Sequence, residues 1–258
     1  MGGIGRRRLI GLLCAAALLA GCGGAGGGSG GGSGEAAPAT TAPATTQAAP
    51  AKACLEGGER AFSFPTADGP SDGVVLGRGR TGVVLGHQSG SDLCEWLPQA
   101  RALARQGRQV LAFDFGPAAH IGQDMAAAAA ELRRRGVTRL VLVGSSMGGT
   151  AAIAAATRIT PPVAGVVSLS GSEQYQGTDA AAAAARLRMP VLVVAAEDDP
   201  PFDDEARALY EAVPGHGKRL LILEGGGHGT SLLDFGDQAP RLRRVLGQFL
   251  QATLGEAS

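Results

Sequence analysis

The stretch VLVGSSMGGTAA, Val141 to Ala152, decides how the rest of the chain is read. An apolar run ends in two serines and a row of small residues follows. Gly144, Ser146 and Gly148 form G-x-S-x-G. The spacing alone says little, because Gly27 to Gly31 (GGSGG) repeats it inside a glycine-rich tract. Context separates the two. The copy at 144–148 follows a strand pattern and opens a helix pattern, GTAAIAAAT, as a nucleophile elbow requires. The chain there turns so sharply that side chains two positions either side of the serine would collide, which glycine avoids. The turn lifts the Ser146 hydroxyl above the carboxyl ends of the strands, where open α/β sheets bind ligands. A helix N-terminus beneath it favours developing negative charge. Ser145 reads as the variable middle residue. Without chemistry, the same pattern is a tight strand–helix turn with a capping serine.

Outward from the elbow, short apolar runs alternate with helical patterns. Strands are expected at 61–65, 73–77, 82–86, 109–115, 139–145, 163–171, 190–196 and 218–226. Such Val/Leu/Ile-rich runs fit strands buried on both faces. The first three leave no room for helices between them, which predicts successive antiparallel hairpins. Helices are expected at 92–106, 120–135, 149–158, 179–187, 203–213 and 238–254; the last sets Leu242, Val245, Leu246, Phe249, Leu250 and Leu254 on one stripe. The alternation implies an α/β fold, a mostly parallel sheet of about eight strands with helices on both faces.

A serine hydroxyl is a weak nucleophile and needs a base, itself oriented by an acid. In this architecture the order is serine, acid, histidine. Glu197-Asp198-Asp199-Pro200 leaves the strand PVLVVAA, and Gly227-His228-Gly229 leaves the strand of KRLLILEGG. Both belong to the same sheet edge as Ser146. With these residues in view, 59–255 resembles the α/β-hydrolase family. The resemblance implies Ser146 as nucleophile, His228 as base and Asp199 as acid, with Asp198 in reserve and Glu197 facing solvent. It also implies an oxyanion hole from the amides of Met147 and of Ser89, in the loop His87-Gln88-Ser89-Gly90. Many members have glycine where Gln88 stands, so its side chain is a further candidate for the hole. His87 fixes the loop; His120 and His216 read as surface or helix-start residues.

The segment 172–189 is too short for an inserted cap. This predicts an open site, similar to dienelactone-hydrolase-like and small-esterase members. Trp96, Phe115, Gln174, Tyr175, Phe202 and Phe235 are candidates to line it, or ordinary core and rim; Asp114 is either pocket or scaffold. The implied reaction is carboxylic-ester hydrolysis through an acyl-enzyme. Thioester or amide cleavage and acyl transfer would use the same three residues, and a silent envelope-binding protein could keep the scaffold. The expected partner is a small acyl or ester substrate, with no cofactor, no metal and no protein partner.

The N-terminus reads as a targeting segment. Arg6 to Arg8 precede the apolar run Leu9–Ala20, which at about a dozen residues is short of the roughly 20 needed to span a bilayer. It ends in Leu19-Ala-Gly-Cys22, which resembles the lipobox of bacterial lipoproteins. The resemblance implies a signal peptide over 1–21, acylation of Cys22 and an extracytoplasmic protein held to the cell membrane by lipid. Residues 22–52 are Gly/Ser-rich and then Ala/Pro/Thr-rich, a composition that cannot offset chain entropy by burial and acts as tether and spacer. The remainder, 53–258, suits one domain. Lys plus Arg and Asp plus Glu both number 23, so nothing points to nucleic acid. Outside the cytoplasm Cys54 and Cys94 either bridge or stay as two buried thiols.

Overall fold

The computed structural model describes residues 47–50, 52–117 and 120–255. The basic and apolar N-terminal segment, Cys22, the Gly/Ser tract and most of the Ala/Pro/Thr tract lie outside the described residues. The strands are β1 (Gln47–Ala48), β2 (Ala61–Thr66), β3 (Gly69–Leu76), β4 (Thr81–Gly86), β5 (Gln109–Phe113), β6 (Arg139–Ser145), β7 (Gly165–Leu169), β8 (Gln174–Tyr175), β9 (Thr178–Asp179), β10 (Val191–Ala196) and β11 (Lys218–Leu223). The helices are α1 (Leu97–Arg105), led by a 3₁₀ turn at Leu93–Trp96, α2 (Ile121–Arg134), α3 (Met147–Ala156), α4 (Ala180–Ala184), α5 (Phe202–Ala212), α6 (Ser231–Asp234) and α7 (Ala239–Leu254).

One sheet of nine strands runs in the order β1-β2-β3-β5-β4-β6-β7-β10-β11. From β5 to β11 all neighbours are parallel. The apolar runs work because both faces are covered. Along β6, Leu140 and Leu142 face α2, α3, α4 and α5, while Val141 and Val143 face α1, α6 and α7. Burying each such side chain contributes about 1.5–3 kcal/mol. All ten residues of α3 are buried, which explains its alanines: a larger side chain would push it off the sheet.

The expected run of hairpins holds only for β2 and β3, which pair antiparallel. β3 and β4 do not pair, because β5 lies between them, antiparallel to β3 and parallel to β4. All five residues of β5 are buried, so it gains more from two neighbours than it would at an edge. The link Gly77–Arg80 crosses the start of β5. Gly77 passes so near Arg108 that a Cβ would lie 2.2 Å from the Arg108 carbonyl oxygen. Segment 172–189 departs from the helix expected over 179–187. It holds the two-stranded ribbon β8–β9, and only then the short α4.

Gln47 and Ala48, read from composition as spacer, pair antiparallel with Ser63 and Phe62. Just beyond them Lys52 contacts Asp92 at 3.2 Å and Asp114 at 2.8 Å. Cys54 and Cys94 form a disulfide that closes a separation of 40 residues. Among the described residues no helix is long and apolar enough to cross a membrane.

The register sets the carboxyl ends of the parallel strands side by side. Gly86 lies opposite Gly144, Ser145 opposite Leu169, and Ala196 opposite Leu223. Every loop carrying a candidate site residue leaves this one edge.

Candidate active site

Ser146 sits between β6 and α3 at φ 50° and ψ −114°. A residue other than glycine at positive φ costs of order 1–3 kcal/mol and persists only where its surroundings enforce it. Here the glycines on either side do so. A Cβ on Gly144 would lie 1.9 Å from the Gly148 carbonyl oxygen, and one on Gly148 would lie 2.1 Å from the Gly86 carbonyl oxygen. The Ser146 N–H donates to Leu169 O at 2.7 Å, which ties the turn to β7. No hydrogen bond links Ser146 Oγ to His228 among the described residues.

Asp199 follows β10 and His228 follows β11. His228 Nδ1 lies 2.8 Å from Asp199 Oδ2, with the imidazole 32% and the carboxylate 14% exposed. This leaves Nε2 as the ring nitrogen free to exchange a proton. The Phe202 ring packs against the imidazole at 4.4 Å between centroids. Asp198 and Glu197 are exposed.

The loop bearing His228 is fastened to the strand ends by serines. The His228 N–H donates to Ser231 Oγ at 2.9 Å. The Gly229 N–H donates to Ser170 Oγ at 3.1 Å, and the Thr230 N–H to Ser145 Oγ at 3.0 Å. Ser145 and Ser170 are fully buried. Sequence reading gave them no role; their one signal was a polar residue ending an apolar strand, which must find partners once buried.

The loop after β4 is also held on several sides. His87 is buried and its Nε2 accepts from the Phe115 N–H at 3.1 Å, so Nδ1 carries the proton and donates to Gln88 O at 2.8 Å. Burial pushes the His87 pKa down, consistent with a neutral ring. The Gln88 N–H donates to Glu95 Oε1 at 3.0 Å. Burial pushes the Glu95 carboxyl up, and its Oε2 is buried without a partner. The Gln88 side-chain oxygen turns to Ser145, with Oε1 accepting from Ser145 Oγ at 3.2 Å. The Ser145 hydroxyl supplies a donor there that draws the amide oxygen inward. The Met147 and Ser89 amides have no hydrogen-bond partner among the described residues.

The aromatic candidates divide. Trp96 is core, fully buried, with Nε1 donating to Gly86 O at 2.9 Å. It belongs to the same buried cluster as Leu85, Leu93 and Leu97. Phe115 packs between His87 and Phe113. Tyr175 reaches from the ribbon to donate to Ser89 Oγ at 2.9 Å, and Gln174 beside it is exposed. Phe235 is 74% exposed. Asp114 is scaffold, accepting from the Leu93 N–H and facing Lys52. His120 is exposed at the start of α2 against Asp68, and His216 is exposed. Among the described residues no three His, Cys, Asp or Glu side chains gather as a metal site.

The geometry can be set beside known proteins. A family model described as the dienelactone hydrolase family matches residues 101–229 of the 258. No curated protein matches the chain. Among solved structures, a dienelactone hydrolase from Anabaena variabilis superposes with a TM-score of 0.62 at 21% identity, covering 76% of this chain and 98% of its own. An esterase from Pyrococcus furiosus gives 0.63 at 17%, covering 76% and 91%. The esterase domain of a Rhodothermus marinus protein gives 0.63 at 21%, covering 76% and 99%. These likenesses establish a shared fold.

Proposed function

The chain belongs to the dienelactone hydrolase family, and on that footing we propose that it is a serine hydrolase cleaving small carboxylic esters through an acyl-enzyme on Ser146. The observation that carries the reading is the His228 Nδ1 to Asp199 Oδ2 hydrogen bond of 2.8 Å, on the same sheet edge as a serine held at φ 50°. Asp199 holds the imidazole in the tautomer that leaves Nε2 unprotonated, and stabilises the imidazolium that forms. The Ser146–His228 contact closes when substrate is seated; catalytic hydrogen bonds are often long in empty sites.

In the first half-reaction Ser146 Oγ bonds to the ester carbonyl carbon as its proton passes to His228 Nε2. The carbonyl oxygen becomes an oxyanion, held by the Met147 and Ser89 amides, each donor being worth about 3–4 kcal/mol in such sites. The carbon–oxygen bond to the alcohol breaks, and His228 returns the proton to the departing oxygen. Water then attacks the acyl-enzyme, giving its proton to His228, and Ser146 leaves with it. A short-chain nitrophenyl ester tests the reading. Wild type turns it over, Ser146→Ala does not, and quenched wild type gains the mass of one acyl group on the peptide holding Ser146. Equal turnover by Ser146→Ala would abandon the assignment.

The N-terminal sequence supports a second part of the reading. Cleavage before Cys22 and acylation of that residue anchor the hydrolase outside the cytoplasm, two or more chains being needed for stable attachment. In a bacterial host, labelled palmitate is incorporated by wild type, and Cys22→Ser both loses the label and leaves the membrane fraction. Label retained by Cys22→Ser contradicts this.

A further inference from the structure

Ser145 stands at the junction of two loops the reaction uses. Its Oγ accepts from the Thr230 N–H at 3.0 Å and donates to Gln88 Oε1 at 3.2 Å. Thr230 is two residues past His228, and Gln88 is one residue before Ser89. One fully buried hydroxyl therefore couples the loop of the base to the loop of an oxyanion donor. The Gln88 peptide group explains why this matters. Its carbonyl accepts from His87 Nδ1 at 2.8 Å and from the Ser91 N–H at 3.2 Å. That carbonyl and the Ser89 N–H belong to one planar trans peptide, so fixing the carbonyl sets the direction in which the Ser89 N–H points. The Gln88 N–H is fixed too, on Glu95. With the side chain on Ser145, Gln88 is tethered through its N–H, its C=O and its amide.

Gly229 completes the arrangement. It lies at φ 59°, and a Cβ there would sit 2.2 Å from Ser145 Oγ and 2.5 Å from Gln88 Oε1. A side chain at this position would collide with both partners of the hydrogen bond.

We propose that Ser145 and Gln88 are positioning residues: their side-chain hydrogen bond locks the oxyanion loop to the histidine loop, so that the Ser89 amide and the His228 imidazole are presented together. This rests on the serine-hydrolase reading. A displacement of about 1 Å in such a site costs on the order of 10²-fold in rate. Residues acting through one shared bond are non-additive.

The test is steady-state ester hydrolysis, with melting temperatures, by wild type, Ser145→Ala, Gln88→Met and the double variant. Gln88→Met keeps the side chain's length, and because Gln88 is partly exposed it serves even if Ser145→Ala fails to fold. The expected result is a kcat lower by ~10- to 100-fold in each single variant with KM nearly unchanged. The double variant falls no further than the worse single. Each variant is assayed well below its own melting transition, so that loss of fold does not carry the effect. Active wild type with kcat preserved in Gln88→Met, or losses that multiply in the double variant, overturns the lock and leaves the hydrolase reading standing. Inactive wild type overturns the hydrolase reading, and the lock with it.

Discussion

Gly144→Ala puts the elbow to the most exacting steric test. The added Cβ would lie 1.9 Å from Gly148 O, 2.0 Å from Gly148 C and 2.5 Å from Gly149 N. All three are backbone atoms, so no side chain can swing aside. Reaching an ordinary contact requires the end of β6 and the first turn of α3 to part by more than about 1 Å. Overpacking typically costs about 1–3 kcal/mol, occasionally more, and a clash with backbone on two rigid elements belongs at the top of that range. At roughly 2–4 °C per kcal/mol for a domain of this size, the melting temperature falls by about 6–12 °C. The same displacement moves Ser146, so ester turnover measured below the transition falls by ~10²-fold. Gly247→Ala is the control. Gly247 is exposed in α7, with nothing within 4 Å of its Cβ position, so alanine stabilises there by about 0.5–1 kcal/mol. Thermal unfolding and turnover of the two variants, side by side, decide the matter. A Gly144→Ala protein that melts and turns over like wild type would refute the close-approach argument.

Three further outcomes follow from the same geometry. Asp199→Asn lowers kcat by ~10³- to 10⁴-fold, because the amide stabilises the wrong imidazole state, whereas exposed Asp198→Asn stays close to wild type; ester assays on both, with the reverse ranking, would discredit the hydrogen bond as the orienting one. Replacing Cys54 and Cys94 together by serine releases a 40-residue loop, worth about 4 kcal/mol in the chain-entropy account, and an unchanged denaturation midpoint would contradict it. Burial raises the Glu95 pKa, so the folded state holds this proton more tightly than the unfolded one, and the stability it lends is lost as pH rises through the folded value. Glu95→Gln therefore gains on wild type in urea unfolding as pH rises above the ordinary carboxylate value of about 4; a stability difference that stays constant as pH rises from there would contradict this.

Much of the fold was legible because its determinants are local. Gly144 and Gly148 follow from backbone sterics around Ser146, and the alanines of α3 from its burial. The strands of the parallel half showed as unbroken apolar runs because both faces are covered. What was illegible depends on placement across the sheet. That β5 inserts between β3 and β4 is a choice between two pairings with equal local patterns. For Trp96 the sequence leaves pocket lining, core and rim all open, and the choice of core rests on its indole N–H reaching Gly86 O. Gln88 read as a departure in the oxyanion loop, since Ser145 lies 57 residues away and no periodicity links them. Ser170, 59 residues from Gly229, is the same case.

The central claim is that Ser146, and not its neighbour Ser145, is an activated nucleophile. Labelling the folded protein with a fluorophosphonate and mapping the adduct by peptide mass spectrometry tests it most directly. The account predicts a single adduct on Ser146, abolished in Ser146→Ala and in His228→Ala. An adduct on Ser145, or folded wild type that takes up no probe and hydrolyses no ester, would contradict it.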